Sequence, residues 1–254
     1  MLLYEKIESI EAWNQWATLI SYGVFVFGLG FLTYFWIKLL LSKGSKAKYD
    51  FRNIYEIKLL FYASVFLISG IAVHLTTLSA EPSVVWFIVS LFVALMMSIL
   101  AISVIHNLLN FYYPTFLEKK LQQLRYKPRI SPKSGNPMKL LSEEEEDVHL
   151  DEGMQAEENI FSIDYDVWVD EENGYTQIEK YAGHLHAIEC SECNYQTLKV
   201  VKEELLESPT ENESGQLLKY QNCIYCGHKV KKAFRVAPLS KISESSDEVS
   251  VVVS

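Results

Sequence analysis

Three stretches of the chain carry no charged side chain: Ala12 to Ile37, Leu59 to Ala80 and Pro82 to Thr115. A helix needs about 20 apolar residues to cross the hydrocarbon layer of a membrane. Each stretch is long enough, so the pattern predicts three spans, at 16–41, 57–79 and 84–113. Trp13, Trp16, Trp36, Trp86, Tyr112 and Tyr113 fall near the span ends, where aromatic rings favour the headgroup layer. The short connection around Glu81-Pro82-Ser83 predicts an antiparallel hairpin of spans two and three.

Beyond the third span the pattern changes. Phe116, Leu117, Leu121 and Leu124 recur at helical spacing among charged residues, which predicts an amphipathic linker over 114–130, either on the inner leaflet or as a stalk. From 131 to 238 the chain reads as short strands with acidic connectors. Tyr175 to Tyr181, Tyr195 to Val201 and Lys229 to Val236 are rich in branched and aromatic residues. Leu205 to Ser214 reads as a solvated hairpin loop, and 239–254 as a Ser-rich disordered tail.

Charge sets the orientation. The 42–56 loop and its edge carry Lys43, Lys46, Lys48, Arg52 and Lys58. Lys119, Lys120, Arg125, Lys127 and Arg129 follow the third span, whereas segment 1–15 offers only Lys6. Basic residues mark the cytoplasmic side. Segment 1–15 is therefore expected outside the cell (inner) membrane, and the 42–56 loop and C-terminal domain in the cytoplasm. No basic run precedes the first apolar stretch, so a cleaved signal peptide is not expected. The net charge is −9, and from Pro114 onward there are 16 Lys and Arg against 26 Asp and Glu. Such a domain repels phosphate backbones, so nucleic acid is not an expected partner. A protein partner meeting the acidic surface, and the lipid bilayer itself, are.

The chain has four cysteines. They form two C-x2-C pairs, Cys190 with Cys193 and Cys223 with Cys226, separated by 29 residues. This spacing predicts one tetrahedral thiolate site holding Zn²⁺. A reducing cytoplasm favours metal over disulfide. Each pair precedes a predicted strand, which is the layout of a zinc ribbon. The predicted fold is therefore an α-helical membrane region of three spans followed by a small, mainly-β zinc-ribbon domain. A metal knuckle needs a residue tolerant of positive φ after its second ligand. Asn194 and Gly227 occupy that place. Upstream, Ser131 to Ser134 is followed by Gly135, and Asp170 to Asn173 by Gly174. Both have the knuckle outline without sulfur.

Pro128-Arg-Ile-Ser-Pro-Lys-Ser-Gly135, the run from Leu140 to Leu150, Ser162-Ile-Asp-Tyr-Asp-Val-Trp168 and the two Cys pairs follow in order. Together they resemble the C-terminal zinc-ribbon tail of TPM-domain membrane proteins, over roughly Tyr126 to Pro238. In that family the tail opens with a C-P-x-C-G knuckle, and the D-Y-D-V-W run leads into a second. Ser131 and Ser134 match the first pair, and Asp170 and Asn173 the second. The resemblance implies that these two knuckles formed one site, now without metal, and that the cysteines form another. The TPM domain itself has no counterpart in the three spans, so its phosphatase label is not implied. Without the first metal, Phe161, Ile163, Tyr165, Val167 and Trp168 are expected to supply a small apolar core. The acidic run Glu143 to Asp147 lacks EF-hand spacing and reads as a solvated helix face or a helix start.

His74, His106, Asn107 and Asn110 are the strongly polar residues of the spans, and such residues are functional suspects. The two histidines fall at opposite membrane depths and cannot share a ligand within one chain. Gly28, Gly30, Ser69 and Gly70 would allow close helix contact. No catalytic constellation stands out. The expected function is a non-enzymatic adaptor or complex subunit, because four thiolates leave zinc no open position. The alternative is a redox or electron-transfer membrane subunit with iron at the four cysteines and His106 and Asn107 near a quinone. Thiol–disulfide chemistry fits less well, since thioredoxin-like pairs precede helices. His184, His186 and His228 flank the pairs but are not needed as ligands.

Overall fold

The structure, a computed structural model, describes residues 2–77 and 84–239. The turn at Glu81-Pro82-Ser83 and the tail from residue 240 lie outside those residues. Two compact units divide the chain, Met1–Arg129 and Ile130–Ser254.

The first unit is helical. Helix α1 spans Leu2–Leu41, α2 Ser45–Leu75, α3 Val84–Asn107 and α4 Tyr113–Arg125. Three segments are long and apolar enough to cross a membrane: Ala12–Leu41, Ser45–Leu75 and Val85–Arg125. Most of 42–56, read above as a loop, is helical. The break is short, with Gly44 at φ 84°. Lys46 pairs with Asp50 and Arg52 with Glu56, each four residues on, which supports a polar helical start. Hydropathy marks which residues suit lipid, and a helix can run past that boundary.

One π-turn, Leu108–Tyr112, joins α3 to α4. Pro114 follows at the start of α4. In a regular helix its ring would press on the carbonyl of Asn110, and its missing amide would leave that carbonyl without a donor. The wider turn absorbs both problems. The helix therefore passes Pro114, and Leu117 and Leu121 are buried where α4 packs on α2. Most of the 114–130 linker is thus helix that packs on α2.

Helices α1 and α2 meet at glycines. A Cβ on Gly28 would lie 3.1 Å from Leu67 and Phe66, and one on Gly70 would lie 3.1 Å from the Ser21 carbonyl. Gly30 faces open space instead. Phe31 stacks on Phe66 at 5.5 Å between ring centres beside the Gly28 contact.

The second unit contains two antiparallel three-stranded sheets. Strands β1 (Lys139–Leu140), β2 (Ile163–Val169) and β3 (Thr176–Ala182) form one in the order 1-2-3. Strands β4 (Leu198–Glu207), β5 (Gly215–Cys223) and β6 (Lys229–Val236) form the other, in the order 4-5-6. A helical membrane region followed by a small β domain is therefore the architecture. Strand β4 extends three residues into the stretch expected as loop, and Leu239, assigned above to the tail, bonds through its amide to the Thr210 carbonyl at 2.9 Å.

Between β1 and β2 lie the short helices α5 (Glu143–Glu146) and α6 (Glu152–Asn159). The acidic run does start a helix: the Glu145 carboxylate accepts from the Ser142 amide at 3.2 Å, half of a capping box. Leu150, Ile163, Tyr165 and Val167 form a core cluster. Trp168 is also buried. Phe161 is not part of this core. Its φ of 57° turns the chain just before β2, and its ring is exposed.

Candidate metal centre

The second sheet carries the four cysteines at one end. Cys190 lies in the turn before β4, and Cys223 closes β5 and opens the turn before β6. Each turn is built by two backbone hydrogen bonds. The Cys190 amide donates to the Tyr195 carbonyl at 2.9 Å, and the Cys223 amide to His228 at 2.8 Å. The Asn194 amide returns to Cys190 at 2.8 Å and the Gly227 amide to Cys223 at 3.1 Å. Asn194 and Gly227 take φ of 61° and 74° to do so. Asparagine and glycine tolerate that left-handed conformation.

These turns bring all four Sγ atoms within 4.8 Å of one another. Cys190 lies 3.7 Å from Cys226, and Cys193 lies 3.7 Å from Cys223. Tetrahedral ligands at the usual Zn–S length of about 2.3 Å are separated by roughly 3.8 Å, so the donor set fits one ion. A disulfide needs S–S of about 2.05 Å, and all four thiols are free. Among the described residues, these four are the group of Cys, His, Asp and Glu whose ligand atoms converge this closely. His184 and His186 are exposed, and His228 contributes backbone only to the turn.

Cys190 and Cys223 are buried at 0% and 1% exposure, and Leu198 packs with them. Burial opposes ionisation of Cys223, but Thr197, the Cys226 amide and neighbouring thiols pull it down to about 6. The Thr197 hydroxyl is 3.0 Å from this sulfur and donates to it once ionised. Burial pushes Cys193 up, the Tyr195 amide opposing. The His228 amide would lower Cys226, yet burial and the other thiols push it up to about 12. One thiolate thus forms readily and resists the next, as coupled sites do. A cation at the centre would remove that conflict, because it favours every thiolate at once.

The first Cys turn rests on α6. Tyr195 donates its hydroxyl to Asp151 at 3.0 Å, and Asp151 also caps α6 through the Met154 amide at 2.8 Å. A Cβ on Gly153 would lie 2.2 Å from the Tyr195 ring, so a side chain there would have to displace the ring. Glu157, fully buried, accepts from the Gln196 amide, from the Tyr165 hydroxyl and from Lys180 at 3.3 Å. Thr197, Glu157 and Asp151 support the centre without being readable beforehand, since nothing in their spacing to the cysteines marks them.

The histidines of the helical unit are not brought together. His74 lies against Tyr22 at 6.0 Å, and His106 against Phe61 at 5.4 Å. Phe61 precedes His74 by thirteen residues on α2, about 20 Å along the helix. His106 shares a hydrogen bond with Asn110 at 2.9 Å. A polar cluster that the sequence did not announce lies nearby in the chain. Glu56, 2% exposed, receives the Tyr113 hydroxyl at 2.6 Å and Arg52 at 2.8 Å, with Lys120 at 3.6 Å. It joins α2 to α4 just beyond the π-turn.

No protein-family model, curated protein or solved structure matches the chain.

Proposed function

We propose that the chain is a membrane-anchored, non-enzymatic adaptor or complex subunit whose C-terminal domain is a cytoplasmic zinc ribbon. The observation that carries this reading is the closed thiol set, with Sγ pairs at 3.7 Å and all four within 4.8 Å. Zinc held by four cysteines has no vacant position for a substrate, and its role is to hold a fold. The basic residues at the start of α2 and along α4 favour a cytoplasmic C-terminus by the positive-inside rule. The acidic excess of the C-terminal unit then gives a protein partner a charged surface to meet. The relation to TPM-protein tails belongs to the same proposal.

The test is the metal content of the full chain, purified in detergent under reducing conditions. One zinc per chain, with β4 to β6 losing amide-exchange protection on chelation, supports the reading. Iron at the same stoichiometry would replace it with the electron-transfer alternative. C-terminal reporter fusions check orientation: fluorescent protein should fold and alkaline phosphatase should stay inactive.

A further inference from the structure

The cysteine turns have two doubles in the same unit. The Ser131 amide donates to the Asn136 carbonyl at 2.9 Å, and the Gly135 amide returns to Ser131 at 3.0 Å. Asp170 does the same with Tyr175 and Gly174, both at 2.8 Å. Gly135 and Gly174 take φ of 76° and 71°. All four turns thus share one pattern: first amide to sixth carbonyl, fifth amide to first carbonyl, fifth residue left-handed.

The likeness extends beyond the turns. Strand β1 begins eight residues after Ser131, and β4 eight after Cys190. Strand β3 begins six residues after Asp170, and β6 six after Cys223. Ser131, Ser134, Asp170 and Asn173 are buried, half-buried, buried and exposed, the same sequence as Cys190, Cys193, Cys223 and Cys226. In a metal knuckle, backbone amides donate to the ligand atoms, and those donors persist here. The Asn136 amide reaches Ser134 Oγ at 3.2 Å, and the Tyr175 amide reaches Asn173 Oδ1 at 2.9 Å. The counterpart amides of Tyr195 and His228 point at Cys193 and Cys226.

What differs is the centre. Ser134 Oγ donates to Asp170 Oδ2 at 2.6 Å, and the Glu172 amide to Asp170 Oδ1 at 3.1 Å. The Ser131 and Ser134 hydroxyls hold the Asp170 carboxyl below its usual range, burial opposing. Asn136 adds a bond to Glu172 at 2.6 Å across the same two turns. A cation ringed by anionic ligands is thereby inverted into an anion ringed by neutral donors. We infer that the C-terminal unit is one three-stranded knuckle module built twice, whose first copy is closed by hydrogen bonds to Asp170 in place of an ion. The first copy accordingly keeps its structure without metal and retains the frame of a thiophilic metal site.

Two measurements on the full chain test this, and neither depends on which ion the native cysteines take. In the first, Ser131, Ser134, Asp170 and Asn173 are all replaced by Cys in a chain whose Cys190, Cys193, Cys223 and Cys226 are Ser. Titration with Co²⁺ alone should yield one tetrahedral thiolate site per chain, against none in the chain lacking all cysteines. Failure to bind, in a variant whose β1 to β3 amides remain protected from exchange, would overturn the inference. The second measurement needs no variant. Chelator added to the wild-type chain should leave the exchange protection of β1 to β3, away from the α6 residues that touch the Tyr195 turn, unchanged within twofold. Its collapse, or metal retained at the first copy, would sink the idea whatever happens to β4 to β6.

Discussion

Thr197 and Glu146 carry the sharpest consequences at the scale of single residues. Thr197, fully buried, holds the Cys223 sulfur at 3.0 Å. Groups that orient a ligand from behind typically affect metal affinity 10–100-fold. Thr197→Val should therefore weaken metal retention by about tenfold or more in a chelator competition, with the other ligands unaltered. Glu146 is a pH reporter. Burial pushes its carboxyl from 4.5 up to about 7, with Glu158, Asp166 and Asp164 adding and the Val167 amide opposing. Between those values the folded chain holds a proton that the unfolded chain releases. Stability falls as pH rises through this window, by the linkage between proton uptake and folding. Glu146→Gln should remove that slope, reducing the change in local opening of α5 and β2 between pH 5 and pH 8 on the order of tenfold. Exchange rates at the two pH values measure it, and an unchanged slope would refute the assignment.

At the scale of elements, the α2–α4 contact turns on Glu56. Tyr113 opens α4 directly after the π-turn at Leu108–Tyr112 and reaches Glu56 from there. Tyr113→Phe removes the 2.6 Å hydrogen bond but leaves Arg52 and Lys120 on the carboxylate. A hydrogen bond to a charged group contributes about 1.5–3 kcal/mol. Faster exchange in α4 is expected, about tenfold or more, with α1 unaffected. Glu56→Gln should do the same and also release Lys120. If α4 stayed as protected as before in both variants, the clasp would carry no weight. Strand β2 illustrates a different element-scale lesson. Its alternation of Ile163, Tyr165 and Val167 was legible as apolar core material, yet its pairing with β3 across seven residue pairs was not. Pairing depends on which later segment folds back, and alternation alone does not specify that.

For the whole molecule, the two units Met1–Arg129 and Ile130–Ser254 have different sources of stability. Helices gain from lipid and from close contacts at Gly28 and Gly70, whereas the second sheet has only a small cluster around Cys190, Leu198 and Cys223. A core of that size gives a sheet little support alone, and a metal held at the proposed site would supply folding energy. Chelation should abolish the protection of β4 to β6 while the helical circular dichroism signal stays within about a tenth of its starting value. A coincident loss of the helical signal would mean that the units do not stand independently.

The sequence by itself determined the three apolar helices, the small β domain after them and the four cysteines that converge. These are properties of composition and short spacing: lipid selects uncharged runs of about 20 residues, and a C-x2-C turn pre-sets two ligands. Only the tertiary structure decided that the polar start of α2 is helical, that the amphipathic segment after Pro114 docks on α2, and that Glu56 meets Tyr113 fifty-seven residues away. It alone placed Thr197 behind Cys223 and Asp170 among the hydroxyls of Ser131 and Ser134. Those contacts join residues far apart along the chain. Their energies depend on burial and exact placement, which no local pattern encodes.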